Sequence, residues 1–172
     1  MEFQIEKGIE ILHNTPNVVK ALLSNLSEDW IKMNEGEHTW SPFQIVGHFI
    51  HTEKAHWISR VRIILAGDEE VSFKLFSGLN QFLNSEGKSI SELMAEFTEL
   101  RNENIRELKS YNINSNNLLF KATHPEFGKV TLKQVLSAWI AHDLNHTKQI
   151  ARVMASQYKP EMGPWEKYIK IK

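Results

Sequence analysis

The strongest constraint on this chain is the spacing of its apolar residues, which recur with helical period in four blocks bounded by turn-forming residues. The first block, FQIEKGIEILHNTPNVVKALLSNL, places Ile5, Ile9, Leu12, Val19, Leu22 and Leu26 on one face, with Pro16 as a kink or restart after Thr15. The second opens at TWSPFQIVGHFI, where Ser41 suits a cap, Pro42 the first helical position and Gln44 the return arm of a capping box. It runs to about Ala66 and stops at Gly67-Asp68. The third, KSISELMAEFTELRNENIRELKSY, has Ser89 as cap and Glu92 three residues on; the fourth, TLKQVLSAWIAHDLNHTKQIARVMASQY, starts at Thr131 and stops before Pro160. Strand-like alternation is scarce. The spacing predicts helices near 3–26, 41–66, 89–110 and 131–156 in a single domain over 1–172, hence an all-α four-helix bundle. The connector over 67–87 is longer than a hairpin of antiparallel neighbours needs, which predicts a crossover between helices two and three and an up-down-down-up order.

Composition narrows the function. At 172 residues the chain can bury one core and does not require two. A net charge of −1 provides no basic field to draw in nucleic acid or anionic lipid, and no apolar run reaches membrane-spanning length, so neither partner is expected. The opening MEFQIEKGIE is charged from its second residue and has no signal-peptide core, so a cytoplasmic location is expected and the two Asn-x-Ser/Thr sequons carry no meaning. The chain has no cysteine. Disulfides, thiolate zinc sites and a nucleophilic thiol of its own are thereby excluded. Any metal must be held by His, Asp, Glu or water, and any thiol chemistry must use a thiol brought from outside.

The fourth block sets two histidines among its apolar residues: Leu132, Val135, Trp139, His142, His146, Ile150 and Val153 form one stripe. Residues four apart are neighbours on a helix, so His142 and His146 can converge on one ion. The plainer reading is a pair of buried histidines with ordinary partners, but no acidic residue shares the stripe, and unpartnered buried imidazoles are costly. In the second block, His48 shares a face with the apolar anchor Ile45 and then with Thr52, Ala55 and Ser59, whose small side chains leave room for an ion and a ligand. The opposite face, with Val46, Ile50, Trp57, Val61 and Ile64, reads as core. His51 and His56 fit neither stripe and read as rim or surface residues; His13, His38 and His124 read as solvated. The metal ligands expected from phase are therefore His48, His142 and His146. A zincin HExxH is not present: Asp143 stands where the glutamate would be. Asp143, Gln149 and Glu53 are candidates to orient the ligands from behind, the plainer reading of each being a solvated helix residue.

The stretches TPNVVKALL, TWSPFQIVGHFIHTE with RVRIIL behind it, GKSISELMAEFTELR, HPEFGKVTLKQVLSAWIAHDLNHTKQIARVMASQY and the final GPW at 163–165 resemble the DinB/YfiT-like superfamily of metal-binding four-helix bundles. The likeness covers nearly the whole chain. It implies a first ligand about eight residues after the tryptophan that opens helix two, here His48 after Trp40, and two more in an HxxxH on helix four, here His142 and His146. It also implies the up-down-down-up order and a homodimer. Some relatives look like thiol-dependent transferases or isomerases that use bacillithiol, mycothiol or glutathione with a divalent metal, while others carry hydrolase labels.

The expected cofactor is one divalent cation. All-nitrogen ligation suits Zn, Ni, Fe, Co or Mn alike. Three imidazoles leave positions open for water or substrate, as in catalytic rather than closed sites. The activity implied by the resemblance is a metal-dependent S-transferase taking a low-molecular-weight thiol as cosubstrate. The alternatives are a metal-dependent hydrolase and a non-catalytic metal- or ligand-binding bundle whose five tryptophans serve an interface.

Overall fold

The computed structural model describes residues 2–68, 70–74 and 85–171. Among the described residues six helices carry the architecture: α1 (Ile5–Leu23), the short α2 (Glu28–Lys32), α3 (Pro42–Ala55), α4 (Trp57–Leu65), α5 (Ile90–Ser110) and α6 (Leu132–Ser156). Three of them start at a complete capping box, in which the cap hydroxyl accepts the third backbone N–H and the third side chain accepts the cap N–H. The pairs are Ser41 with Gln44, Ser89 with Glu92, and Thr131 with Gln134. These are the starts that the sequence predicts, to within a residue.

The predicted second helix is two pieces, α3 and α4, interrupted at His56 (φ −119°, ψ −66°). The His56 N–H still reaches the Thr52 carbonyl at 3.0 Å and the Arg60 N–H reaches the His56 carbonyl at 2.9 Å, so the two pieces stay joined. Pro16, expected to kink or restart the first helix, instead lies within a continuous α1. A proline supplies no N–H to the carbonyl four residues back. Here that carbonyl belongs to Leu12, and it accepts a 2.7 Å hydrogen bond from Arg101 Nη1 on α5.

Packing follows from the apolar stripes. Phe49 stacks on Phe97 with centroids 4.8 Å apart, Glu53 meets Arg101 and Arg62 meets Glu107, so α3–α4 and α5 run side by side in the same direction. Across the other flank, Trp57 stacks on Trp139 while His48 reaches His142 and His146, so α3–α4 and α6 run in opposite directions. Gly8 of α1 lies under Ile140 of α6, so closely that a Cβ there would sit 2.5 Å from Ile140 Cδ1. The buried apolar side chains form two clusters, one around Leu12, Trp57, Ile105 and Trp139 and one around Val19, Phe49, Phe97 and Ile150. Between these clusters α3, α5 and α6 each place a charged residue, Glu53, Arg101 and Asp143, all fully buried.

A short antiparallel hairpin, β1 (Lys121–His124) with β2 (Gly128–Thr131), precedes α6 and is not anticipated by the sequence reading. Four-residue strands are too short to display an alternation that stands out from loop sequence. Its turn uses Gly128 at φ +71°, a conformation that costs glycine little. Within the connector, the Phe73 N–H donates to the Thr123 carbonyl at 2.9 Å, which ties residues 71–73 to β1. The rest of the expected crossover, residues 69 and 75–84, lies outside the described residues. None of the described helices is long and apolar enough to cross a membrane.

Candidate metal centre

His48 on α3 and His142 and His146 on α6 come together as helical phase predicts. Each offers a ring nitrogen, and the three nitrogens all lie within 4.8 Å of one another. Among the described residues no other group of three or more metal-donating side chains gathers in this way. The ring centroids are 5.0 Å apart for His48–His142, 4.6 Å for His48–His146 and 4.3 Å for His142–His146. His48 Nε2 and His142 Nε2 approach to 2.9 Å. Without an ion, one of those two nitrogens must carry a proton for the approach to be attractive; with both lone pairs inward, the pair requires a cation.

An aromatic wall surrounds the three imidazoles. Trp40 stands over His48 at 4.9 Å and stacks nearly parallel to His146 at 5.9 Å. Phe49 presents its edge to His142 and His146 at 6.0 and 5.8 Å, and Trp57 lies edge-on to His142 at 5.0 Å. Burial followed by the neighbouring His142 lowers His146 to about 4, so the ring is neutral and ligand-competent at neutral pH. Its Nδ1 lies 2.7 Å from Gln149 Oε1. An amide oxygen only accepts, so Nδ1 holds the proton and Nε2 keeps its lone pair for the cluster.

Behind the histidines sits a buried charge cluster. Arg101 donates from Nη1 to Asp143 Oδ2 at 2.5 Å and from Nη2 to Glu53 Oε1 at 2.8 Å. Asn104 Nδ2 donates to Glu53 Oε2 at 2.9 Å and Trp139 Nε1 donates to Glu53 Oε1 at 3.2 Å. Burial alone would raise Asp143, but the Arg101 charge and the hydrogen bonds override it and hold the carboxyl below its ordinary value. Two carboxyl groups thus share one buried guanidinium. Asp143 Oδ1 lies 3.8 Å from His142 Nδ1, so the Asp143 carboxylate faces the histidine group from behind.

Several expectations need correction. Glu53 and Asp143 are not solvated: both are buried and bound to Arg101. Asp143 follows Trp139 by four and precedes Ile150 by seven, so it shares the broad apolar face that a narrow stripe left out. His51 and His56 are likewise buried rather than on the rim, with ring centroids 5.4 Å apart and Arg60 Nη2 at 3.2 Å from His56 Nδ1. His13 and His38 are exposed as expected, whereas His124 ends β1 and accepts the Glu126 and Phe127 backbone N–H groups at Nδ1. Ala55, placed on the His48 face by phase, is exposed. Arg101 and Asn104, both buried, are not among the residues that the sequence reading expects at the site. Their signal was available: Leu93, Phe97, Arg101, Asn104 and Leu108 keep helical spacing, which puts a cation and an amide in the buried stripe of helix three.

A groove of about 990 Å³ between α1 and α5 is lined by residues such as His13, Lys20, Met94 and Arg106 and by none of the three histidines. It gathers no convergent set of ligating groups, so chemistry rather than volume locates the centre.

Together these features define a four-helix bundle with a three-histidine group that could hold a metal ion. The DinB superfamily model matches residues 11–150, and the chain belongs to that superfamily. No curated protein sequence matches it. Among solved structures it is similar to YfiT from Bacillus subtilis, at 18% identity and a TM-score of 0.74 over 92% of this chain and 87% of that one. That protein is described as "a probable metal-dependent hydrolase with an unusual four-helix bundle topology". A second similar structure is TT2238, a four-helix bundle protein, at 18% identity and a TM-score of 0.59 over 86% of this chain and 98% of that one. At this identity the two structures speak for the fold alone.

Proposed function

We propose that the chain is a metal-dependent enzyme holding one divalent cation between His48, His142 and His146, and that the nucleophile it activates is a low-molecular-weight thiol. The observation that carries the metal is the convergence of three ring nitrogens within 4.8 Å, one of them with its tautomer set by Gln149. The Asp143 carboxylate, 3.8 Å behind His142, supports it, because a cation in front of a carboxylate is electrostatically favoured. When bound, such a cation supplies a Lewis acid that lowers the pKa of a water or thiol reaching it. His48, His142 and His146 would bind the cation, Gln149 would orient His146, and Trp40, Phe49 and Trp57 would keep bulk water from the reacting atoms.

The thiol is favoured over water by what the site lacks. Hydrolysis is helped by a carboxylate general base that deprotonates the attacking water. The Asp143 carboxylate, 3.8 Å from His142 Nδ1, is engaged by Arg101, as is Glu53. A thiol ionises several pH units more readily than water and needs no such base. Because the chain has no cysteine, that thiol must arrive as cosubstrate. Hydrolysis is the second reading, prompted by the description of YfiT. The discriminating experiment is to supply metal-loaded protein with a thiol and an electrophile: loss of free thiol supports transfer, whereas product formation without thiol supports hydrolysis. A homodimer belongs to the same reading, and light scattering that shows only a 20.0 kDa species would exclude it.

A further inference from the structure

Of the five arginines in the chain, three hold a carboxylate: Arg62 holds Glu107, Arg101 holds Glu53 and Asp143, and Arg152 holds Glu35. Arg106 is exposed. Arg60 differs from all of them. It is half-buried on α4, and among the described residues no carboxylate pairs with it. Its guanidinium lies 5.8 Å from the Trp57 ring centroid and 5.2 Å from that of Phe73, so it is held by two aromatic rings. Among the described residues its one hydrogen-bond partner is His56 Nδ1 at 3.2 Å. That nitrogen accepts, and burial together with the Arg60 charge lowers His56 to about 4, so this neighbour brings no counter-charge.

A half-desolvated guanidinium without an anion is an expensive arrangement, and aromatic contacts recover only part of the cost. The remaining N–H groups of its fork are suited to a planar or tetrahedral oxyanion. The position connects this cation to the histidines. Trp57, which carries Arg60 on one side, lies edge-on to His142 at 5.0 Å, so one indole separates guanidinium from imidazole. The geometry points to Arg60 as an oxyanion-binding residue beside the three-histidine group, taking a carboxylate or phosphate of the substrate or cosubstrate that reacts there. The inference names the ligand class for the site proposed above and rests on that reading for its link to catalysis.

The test is calorimetric titration of malonate and of inorganic phosphate into the full chain, metal-free and Zn-loaded, comparing the parent with Arg60→Met and Arg60→Lys. The parent should bind at least one of the two anions in the millimolar range or tighter, and which one binds tells a carboxylate from a phosphate ligand. Arg60→Met should weaken that binding by tenfold or more in both metal states, and Arg60→Lys should recover part of it, since charge returns without the fork. Metal stoichiometry should be the same in all three proteins. If the parent binds neither anion, or Arg60→Met binds as the parent does, the inference is overturned. If the parent holds no metal but its anion binding still depends on Arg60, the metal reading fails while the anion site stands.

Discussion

Arg101 on α5 donates a 2.7 Å hydrogen bond to the carbonyl of Leu12 on α1, the carbonyl that Pro16 leaves without a helical partner. A helix interrupter in one segment thus creates the acceptor that a buried cation in another segment needs. The same guanidinium holds Glu53 and Asp143, so it ties α1, α3, α5 and α6 together at the level of the histidines.

Removing that cation strands two buried carboxylates. Arg101→Met should therefore cost about 3–5 kcal/mol, the range for breaking a buried ion pair from one side. Urea unfolding of the metal-free protein measures it. A loss under about 1 kcal/mol would show that Glu53 and Asp143 find water or protons instead.

Gln149 reaches His146 through the ring nitrogen that faces away from the cluster, at 2.7 Å. Gln149→Ala should weaken metal binding by roughly 10–100-fold, as expected for an outer partner of a ligand, while leaving far-ultraviolet circular dichroism unchanged. A competition titration against a chromogenic chelator reads the change. Unchanged affinity would mean that packing against Trp40 alone orients the ring.

Acid should destabilise the metal-free fold in a defined window. His146 and His56 are both lowered from 6.5 to about 4, each first by burial; His142 adds to the first, and Arg60, His51 and His142 to the second. Between those values the unfolded chain binds protons that the folded chain refuses. Stability is then complete above the unfolded value near 6.5 and is lost as pH falls toward 4, by up to roughly 3 kcal/mol per histidine. Urea midpoints taken from pH 7.5 to 4.5 should fall with pH and should fall less in a His56→Gln variant. A midpoint that holds constant to pH 5 would contradict the burial of these rings.

Much of this was legible in the sequence, for a physical reason. Ser41, Ser89 and Thr131 satisfy orphan N–H groups through local contacts, so their side chains announce helix starts without reference to the rest of the fold. His142 and His146 could be placed because burial on a helix has a fixed period, and His48 because its neighbours were small. What was missed depended on contacts between distant segments. Nothing near Arg101 in the chain says that Leu12 will offer it a carbonyl, and nothing near Glu53 says that Arg101, Asn104 and Trp139 will surround it. A charged residue in the apolar phase, such as Arg101, is the local sign of such a contact, but it does not name the partner. The break at His56 takes that residue out of regular helical phase, whereas His51 lies within regular α3 and is buried beside His56, a contact that a two-stripe pattern does not show.

The central claim is that His48, His142 and His146 hold one divalent cation together, and metal analysis of the purified chain beside His146→Ala tests it most directly. The parent should carry about one equivalent of a first-row divalent metal after dialysis against a metal-free buffer near neutral pH. His146→Ala should lose that equivalent while its helical circular dichroism stays the same. A parent without bound metal even after incubation with Zn, Ni, Fe, Co and Mn, or a His146→Ala variant that holds metal as tightly as the parent, would contradict the claim and leave the three imidazoles as core residues hydrogen-bonded to one another.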